Sequence, residues 1–188
     1  MPRSLRLQFE GAFYHVISRG VDKSLIFHDQ NDYKKFISFL RIFCIEFDAV
    51  IHSYCLMSNH IHLLVETKKA NISHFMRRLL GDYAMYFNHK YLRVGHLFQS
   101  RYKSYLIDND IYLLEVSRYI HLNPCRAGIV IRPELYRWSS MNDFLTDNSS
   151  DFLDKKLILS NFKTKNSYHN FVRGQTPLNV QYYSYNGK

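Results

Sequence analysis

The chain has 188 residues, is 46% hydrophobic, and carries a formal net charge of +9 from 25 Lys and Arg against 16 Asp and Glu. This length and apolar content fit one folded domain with a small C-terminal extension and exclude wholesale disorder. The surplus of positive charge favours a polyanionic partner, because neutralising phosphates releases condensed counterions.

Residues 12–19, Ala-Phe-Tyr-His-Val-Ile-Ser-Arg, read as a first strand rich in aromatic and β-branched residues, ended by Gly20. Asn31 or Asp32 would cap a helix running to about Phe47, with Phe36, Ile37, Leu40, Phe43 and Ile45 at helical spacing. Val50 to Met57 and His60 to Glu66 are both strand-like. Ser58-Asn59 lies between them, and Asn tolerates the positive φ of a tight turn, so a hairpin is expected. A second helix is expected from about Ile72 to Tyr91, with Phe75, Leu79, Leu80, Ala84 and Phe87 inward. Residues 101–107 alternate as a fourth strand would. Asp108, Asn109 or Asp110 then caps a third helix, expected to end near Asn123 because Pro124 disfavours helical geometry before it.

The order β-α-β-β-α-β plus a helix is that of an α+β, ferredoxin-like fold: an antiparallel sheet with helices on one face and an additional helix. The pattern loosens from about Met141, and residues 146–151 read as a linker, giving a domain over 1–145 and an extension over 146–188. Phe162, Tyr168, Phe171 and Val172 suggest a short helical appendage, and the last dozen residues are expected to be mobile. No run is apolar and long enough to span a bilayer. The start, Met1-Pro2-Arg3-Ser4-Leu5-Arg6, lacks the apolar stretch of a signal peptide, so the expectation is a cytoplasmic protein. The three cysteines, Cys44, Cys55 and Cys125, are far apart and form no C-x-x-C pair; they read as small buried thiols.

His60-Ile61-His62 opens a strand, so the two imidazoles share a face while Ile61 points into the core with Leu63 and Val65. Two imidazoles on one face can chelate a divalent cation, although an isolated His-x-His is a weak signal. Metallo-hydrolases with His-x-His-x-Asp-His need an Asp and a His where this chain has Leu64 and Val65. Phosphoesterases with His-x-Thr or His-x-Ser need a hydroxyl where it has His62. On the third helix Tyr119 and Asn123 are four apart and stack on one face. An amide oxygen from Asn123 is a hard ligand suited to Mg2+ or Mn2+. The same geometry would set the Tyr119 hydroxyl beside the metal as a nucleophile toward a phosphodiester. His121, two positions on, projects elsewhere and reads as structural or surface.

Arg101 and Lys103 share a face of the fourth strand, and Arg77, Arg78, Arg118 and Arg126 are further candidates for phosphate contacts. Tyr102 and Phe98 could stack on bases or pack in the core. Fifteen tyrosines among many basic side chains suit unpaired nucleic acid, and suit a core equally well.

The stretch Tyr54-Cys55-Leu56-Met57-Ser58-Asn59-His60-Ile61-His62-Leu63-Leu64-Val65, followed by Arg118-Tyr119-Ile120-His121-Leu122-Asn123-Pro124-Cys125-Arg126-Ala127-Gly128, resembles the single-tyrosine transposases of the HUH superfamily. It looks most like the REP-associated tyrosine transposases. Tyr14-His15-Val16, Arg19-Gly20, Ile26-Phe27 with Asp29 and Asp32, and Gly95 to Tyr102 agree with it, so the resemblance spans roughly residues 10 to 145. It implies cleavage of single-stranded DNA beside a hairpin, REP-like or at an insertion-sequence end, through a 5′-phosphotyrosine on Tyr119. His60 and His62 would be metal ligands, and the protein would act as a monomer or homodimer. Several insertion-sequence members have Gln where this chain has Asn123. A replication initiator or relaxase of the same superfamily commonly carries an added domain, for which this length leaves little room. A non-catalytic RNA- or DNA-binding ferredoxin-like module would display glycine-spaced aromatics where this sheet has two histidines. A transposase that binds but no longer cuts also fits the sequence.

Overall fold

A computed structural model describes residues 7–147 and 150–174. The expectations for the first six residues and for the last dozen fall outside them, as does part of the expected linker at 148–149. The elements are β1 (Ala12–Arg19), α1 (Gln30–Phe47), β2 (Ala49–Met57), β3 (His60–Thr67), α2 (Ile72–Lys90), β4 (Lys103–Ile107), α3 (Asp110–Arg126), α4 (Met141–Leu145), α5 (Lys156–Leu159) and α6 (Lys165–Val172). The strands form one antiparallel sheet in the order β2-β3-β1-β4, the ferredoxin-like arrangement expected from the element order. Among the described residues no helix is long and apolar enough to cross a membrane.

The sheet separates two cores. Ala12, Tyr14 and Val16 of β1 and Ile61, Leu63 and Val65 of β3 face α1 and α2. Leu64 of β3, Cys55 and Met57 of β2, and Ile107 of β4 face α3 and the C-terminal helices. A bulge at His52, where Ile51 pairs with Val65 and Ser53 with Leu64, reverses the parity of β2. It turns Ser53, Cys55 and Met57 toward α3, where unbroken alternation from Ile51 would have aimed them at α1.

Several sequence expectations are corrected in detail. Helix α1 is capped by Asp29, with Asp32 at the third position completing a reciprocal capping box. Its buried stripe is Phe36, Leu40, Phe43 and Cys44, which leaves Ile45 on the outer side and 79% exposed. The hairpin turn at Ser58-Asn59 forms without a positive φ at Asn59. It is held from outside: Gly20 donates to the Asn59 carbonyl, and Ile26 and Phe27 donate to that of Ser58. Helix α3, capped by Asn109, runs through Pro124 to Arg126. The proline withholds only one donor, and the ladder resumes with the Ala127 N–H on the Asn123 carbonyl at 3.0 Å. The fourth strand begins at Lys103, so Arg101 lies in the loop before it. Tyr102 is buried in the core beneath α2, with Phe98 packed beside it. Cys44 and Cys55 are buried, and Cys125 is half-buried.

Candidate functional site

Helix α3 is apolar along Leu113, Val116, Ile120 and Pro124, and this stripe lies on the sheet. Beside it, Ser117 and His121 turn inward one helical step apart. Ser117 Oγ lies 2.8 Å from Ser53 Oγ and 2.7 Å from the Tyr168 hydroxyl on α6. His121 Nδ1 lies 2.6 Å from the same hydroxyl, and its Nε2 lies 2.7 Å from Ser140 Oγ. His121 is thus fully buried and structural. With its inner side fixed in this way, α3 turns Tyr119 and Asn123 toward the β3 histidines.

An open cleft of about 780 Å³ lies there, between α3 and the exposed half of the sheet face. His60, His62, Tyr119 and Asn123 all line it, so the structure brings together the four residues expected to carry chemistry. The Tyr119 ring stands edge-on to His62, with centroids 5.5 Å apart, and to His15, at 5.6 Å. The Arg126 guanidinium covers it at 5.0 Å from the ring centroid. Asn123 donates from Nδ2 to the Tyr119 carbonyl at 3.0 Å, which leaves its side-chain oxygen as the acceptor toward His60.

Electrostatics suit ligation by neutral imidazoles. Burial lowers His60 to about 4; the Arg19 charge adds to this, and the Asn123 amide oxygen, an acceptor for the protonated ring, opposes it. Burial likewise holds His62 well below the usual histidine range, helped by the charges of His15, His60 and Arg19. His15 is lowered to about 4 by burial. At neutral pH these rings keep their lone pairs, as metal binding requires. Among the described residues no group of three or more His, Cys, Asp or Glu side chains could hold a metal. The side chains in the cleft that could hold a divalent cation are His60 and His62 with the Asn123 amide oxygen. Two neutral imidazoles and a hard amide oxygen make a donor mix that suits a divalent cation.

Arg101, Lys103 and Arg126 line the cleft, together with Arg19, and no carboxylate does so among the described residues. Arg77 and Arg78 are not brought there. They lie on α2, beneath the opposite face of the sheet, where Arg78 pairs with Asp82 and covers the Phe43 ring. Arg118 is also elsewhere: its guanidinium pairs with Glu115 and stacks on Phe171 of α6. Arg19 and His15 also line the cleft, without a motif of their own to mark them as site residues. Strand parity held the missing signal, because Phe13, His15, Ile17 and Arg19 share one face of β1, and Arg19 pairs directly with His60.

The model of the family described as Transposase IS200 like matches residues 8–123, more than half of the chain. Among curated protein sequences, none matches significantly. A solved structure of a REP-associated tyrosine transposase bound to a REP hairpin aligns with a TM-score of 0.66 and 16% identity, over 84% of this chain and 96% of that one. A Deinococcus radiodurans R1 protein described as a transposase aligns over 63% of this chain and 95% of its own, with 17% identity and a TM-score of 0.45.

Proposed function

Because the chain belongs to the family of IS200-like transposases, we propose that it is a cytoplasmic enzyme that nicks and rejoins single-stranded DNA beside hairpins. Tyr119 is the nucleophile, and His60, His62 and Asn123 hold Mg2+ or Mn2+. One observation carries this reading: Tyr119 stands against His62 in a cleft walled by Arg19, Arg101, Lys103 and Arg126, with no lining carboxylate among the described residues.

The basic side chains bind and orient the phosphodiester and stabilise the charge that builds on it as the Tyr119 oxygen approaches phosphorus. A bond forms between that oxygen and phosphorus, and the bond from phosphorus to the 3′ oxygen breaks. The phenolic proton goes to solvent, and the departing oxygen takes one up as a free 3′ hydroxyl. Attack by a 3′ hydroxyl on the phosphotyrosine reverses these changes and rejoins a strand. The cation, when bound, would polarise the phosphate and stabilise the charge on the leaving oxygen. Tyr119 and both histidines come from one chain, which supports a site complete within a single copy. A hairpin substrate is supported by the REP hairpin bound to the REP-associated transposase of similar fold.

The test is covalent capture. The protein is incubated with labelled single-stranded hairpins and Mn2+, then resolved under denaturing conditions. A shifted adduct abolished by Tyr119→Phe and by a chelator is expected. An adduct that survives Tyr119→Phe overturns the assignment of the nucleophile. Hairpin binding without any adduct leaves the non-catalytic reading standing instead.

A further inference from the structure

Both histidines of the pair are gripped at Nδ1, by residues that the chemistry above does not use. Nδ1 of His60 lies 2.6 Å from Asn59 Oδ1. The Asn59 amide is itself oriented, since its Nδ2 donates to the Lys23 carbonyl at 3.0 Å and its oxygen must then face the ring. An amide oxygen only accepts, so neutral His60 carries its proton on Nδ1 and leaves Nε2 bare. The Lys23 carbonyl is delivered by an unusual loop. Asp22 and Lys23 are both left-handed, with φ of 50° and 60°, a costly conformation for consecutive non-glycine residues. The same loop closes tightly on Gly20, where an added Cβ would lie 2.2 Å from the Ser24 carbonyl oxygen.

Nδ1 of His62 lies 3.1 Å from His15 Nε2, with the two rings inclined by only 25°. His15 enters from the neighbouring strand β1, diagonal to His62 in the register, and both rings are buried. Two neutral imidazoles can share this contact in two ways. If His62 donates, its Nε2 is bare. If His15 donates, the proton of His62 sits on Nε2 and blocks that nitrogen as a ligand.

We propose that Asn59 and His15 are positioning residues that hold His60 and His62 as Nδ1–H tautomers, presenting both Nε2 lone pairs to the cleft ready for a divalent cation. This inference rests on the metal reading given above. The partners on the outer nitrogens decide ring orientation and tautomer, and losing such a partner weakens a metal site without touching its ligands.

The tautomers are read directly from imidazole 15N shifts in two-bond 1H–15N spectra of the metal-free wild-type protein. Nδ1–H forms are expected for both His60 and His62, and an Nε2–H form at either overturns the assignment. Mn2+ affinity, followed by EPR of the free ion, gives the second readout. His15→Phe is expected to weaken binding about 10–100-fold, whereas His15→Gln, whose amide oxygen reaches the position of Nε2, stays within about threefold of wild type. Asn59→Ala is expected to resemble His15→Phe, and Asn59→Asp, which keeps the acceptor, to resemble wild type. Unchanged affinity in His15→Phe, or an equal loss in His15→Gln, overturns the hydrogen-bond role. Should His15→Phe fail to fold, His15→Gln and the wild-type spectra still decide the matter. A wild-type protein that takes up no Mn2+ overturns the metal reading itself, and the spectra then show separately whether the tautomers are held.

Discussion

Replacing Tyr168 by Phe removes one oxygen from the fully buried contact between α6 and α3. The bonds around that oxygen run in one direction. Ser140 Oγ donates to the Tyr54 carbonyl and accepts from the Tyr54 N–H, so it accepts from His121 Nε2 as well. Burial lowers His121 to about 3, so the ring is neutral with a bare Nδ1 that accepts from the Tyr168 hydroxyl. The Tyr168 oxygen then accepts from Ser117, and Ser117 from Ser53. Without the hydroxyl, His121 Nδ1 is left buried without a partner, at about 1–3 kcal/mol, and Ser117 loses a bond worth about 1 kcal/mol. The expected loss of stability is therefore about 2–4 kcal/mol, since the ring and its packing remain. Equilibrium urea unfolding reads this directly. With a slope of about 2 kcal/mol per M, the midpoint should fall by about 1–2 M with the slope unchanged. Because Ser117 and His121 flank Tyr119 on α3, single-turnover cleavage should also slow, by about tenfold or more, for a displacement well under 1 Å. A stability loss below about 0.5 kcal/mol would show that the hydroxyl contributes little and refute the directional chain.

Two further outcomes follow from the electrostatics. His15 and His121, lowered by burial to about 4 and about 3, stay neutral in the folded chain, while the unfolded chain protonates near pH 6.5. Stability is thus fully present above pH 6.5 and falls as pH drops toward 4, by on the order of 3 kcal/mol per histidine at the lower end. Urea midpoints at pH 7.5 and pH 5 check the sign, and a midpoint that rises on acidification contradicts it. Arg101 and Lys103 line the cleft whereas Arg77 and Arg78 lie beneath the other face of the sheet. Neutralising the first pair should reduce the salt slope of single-stranded DNA binding by about 0.7 for each phosphate that is no longer paired with a cation. Neutralising the second pair should leave the slope unchanged, and the reverse pattern would move the DNA path to the other face.

What the sequence disclosed was what local chemistry dictates. The hairpin around Ser58-Asn59 and the alternation of His60, Ile61, His62 and Leu63 follow from strand geometry alone, as does the stacking of Tyr119 on Asn123 from helix geometry. What stayed hidden depends on through-space partners. The bulge at His52 has no glycine to mark it, and the assignment of β2 side chains to one core or the other turns on it. Arg118 looked like a phosphate contact because its ring partner, Phe171, lies 53 residues away and only the fold shows the stack. His15 had an apolar alternating strand around it and would have read as a core histidine in isolation. Only the register of β1 on β3 sets it beside His62.

The two-faced use of the sheet explains why the two motifs must meet although nearly sixty residues separate them. One face of β1 and β3 is committed to α1 and α2 by Tyr14, Val16, Ile61, Leu63 and Val65, all essentially inaccessible to solvent. Polar side chains of alternate parity can therefore emerge only on the other face. There, Leu64 and Met57 give α3 an apolar seat, while the histidines beside them meet the Tyr119 edge of the helix. The remaining open strip is closed along one side by α3 itself, which places Tyr119 at the edge of the imidazoles that line it. A helix seated one turn along would put the Asn123 or Glu115 position at that edge and carry the tyrosine away from the imidazoles. The polar chain through Ser117, His121 and Tyr168 opposes such a slip, because moving the helix by a turn would leave each of its buried members without a partner. In this fold the buried polar bonds of α3 thus act on register: they choose which of its side chains faces the histidines.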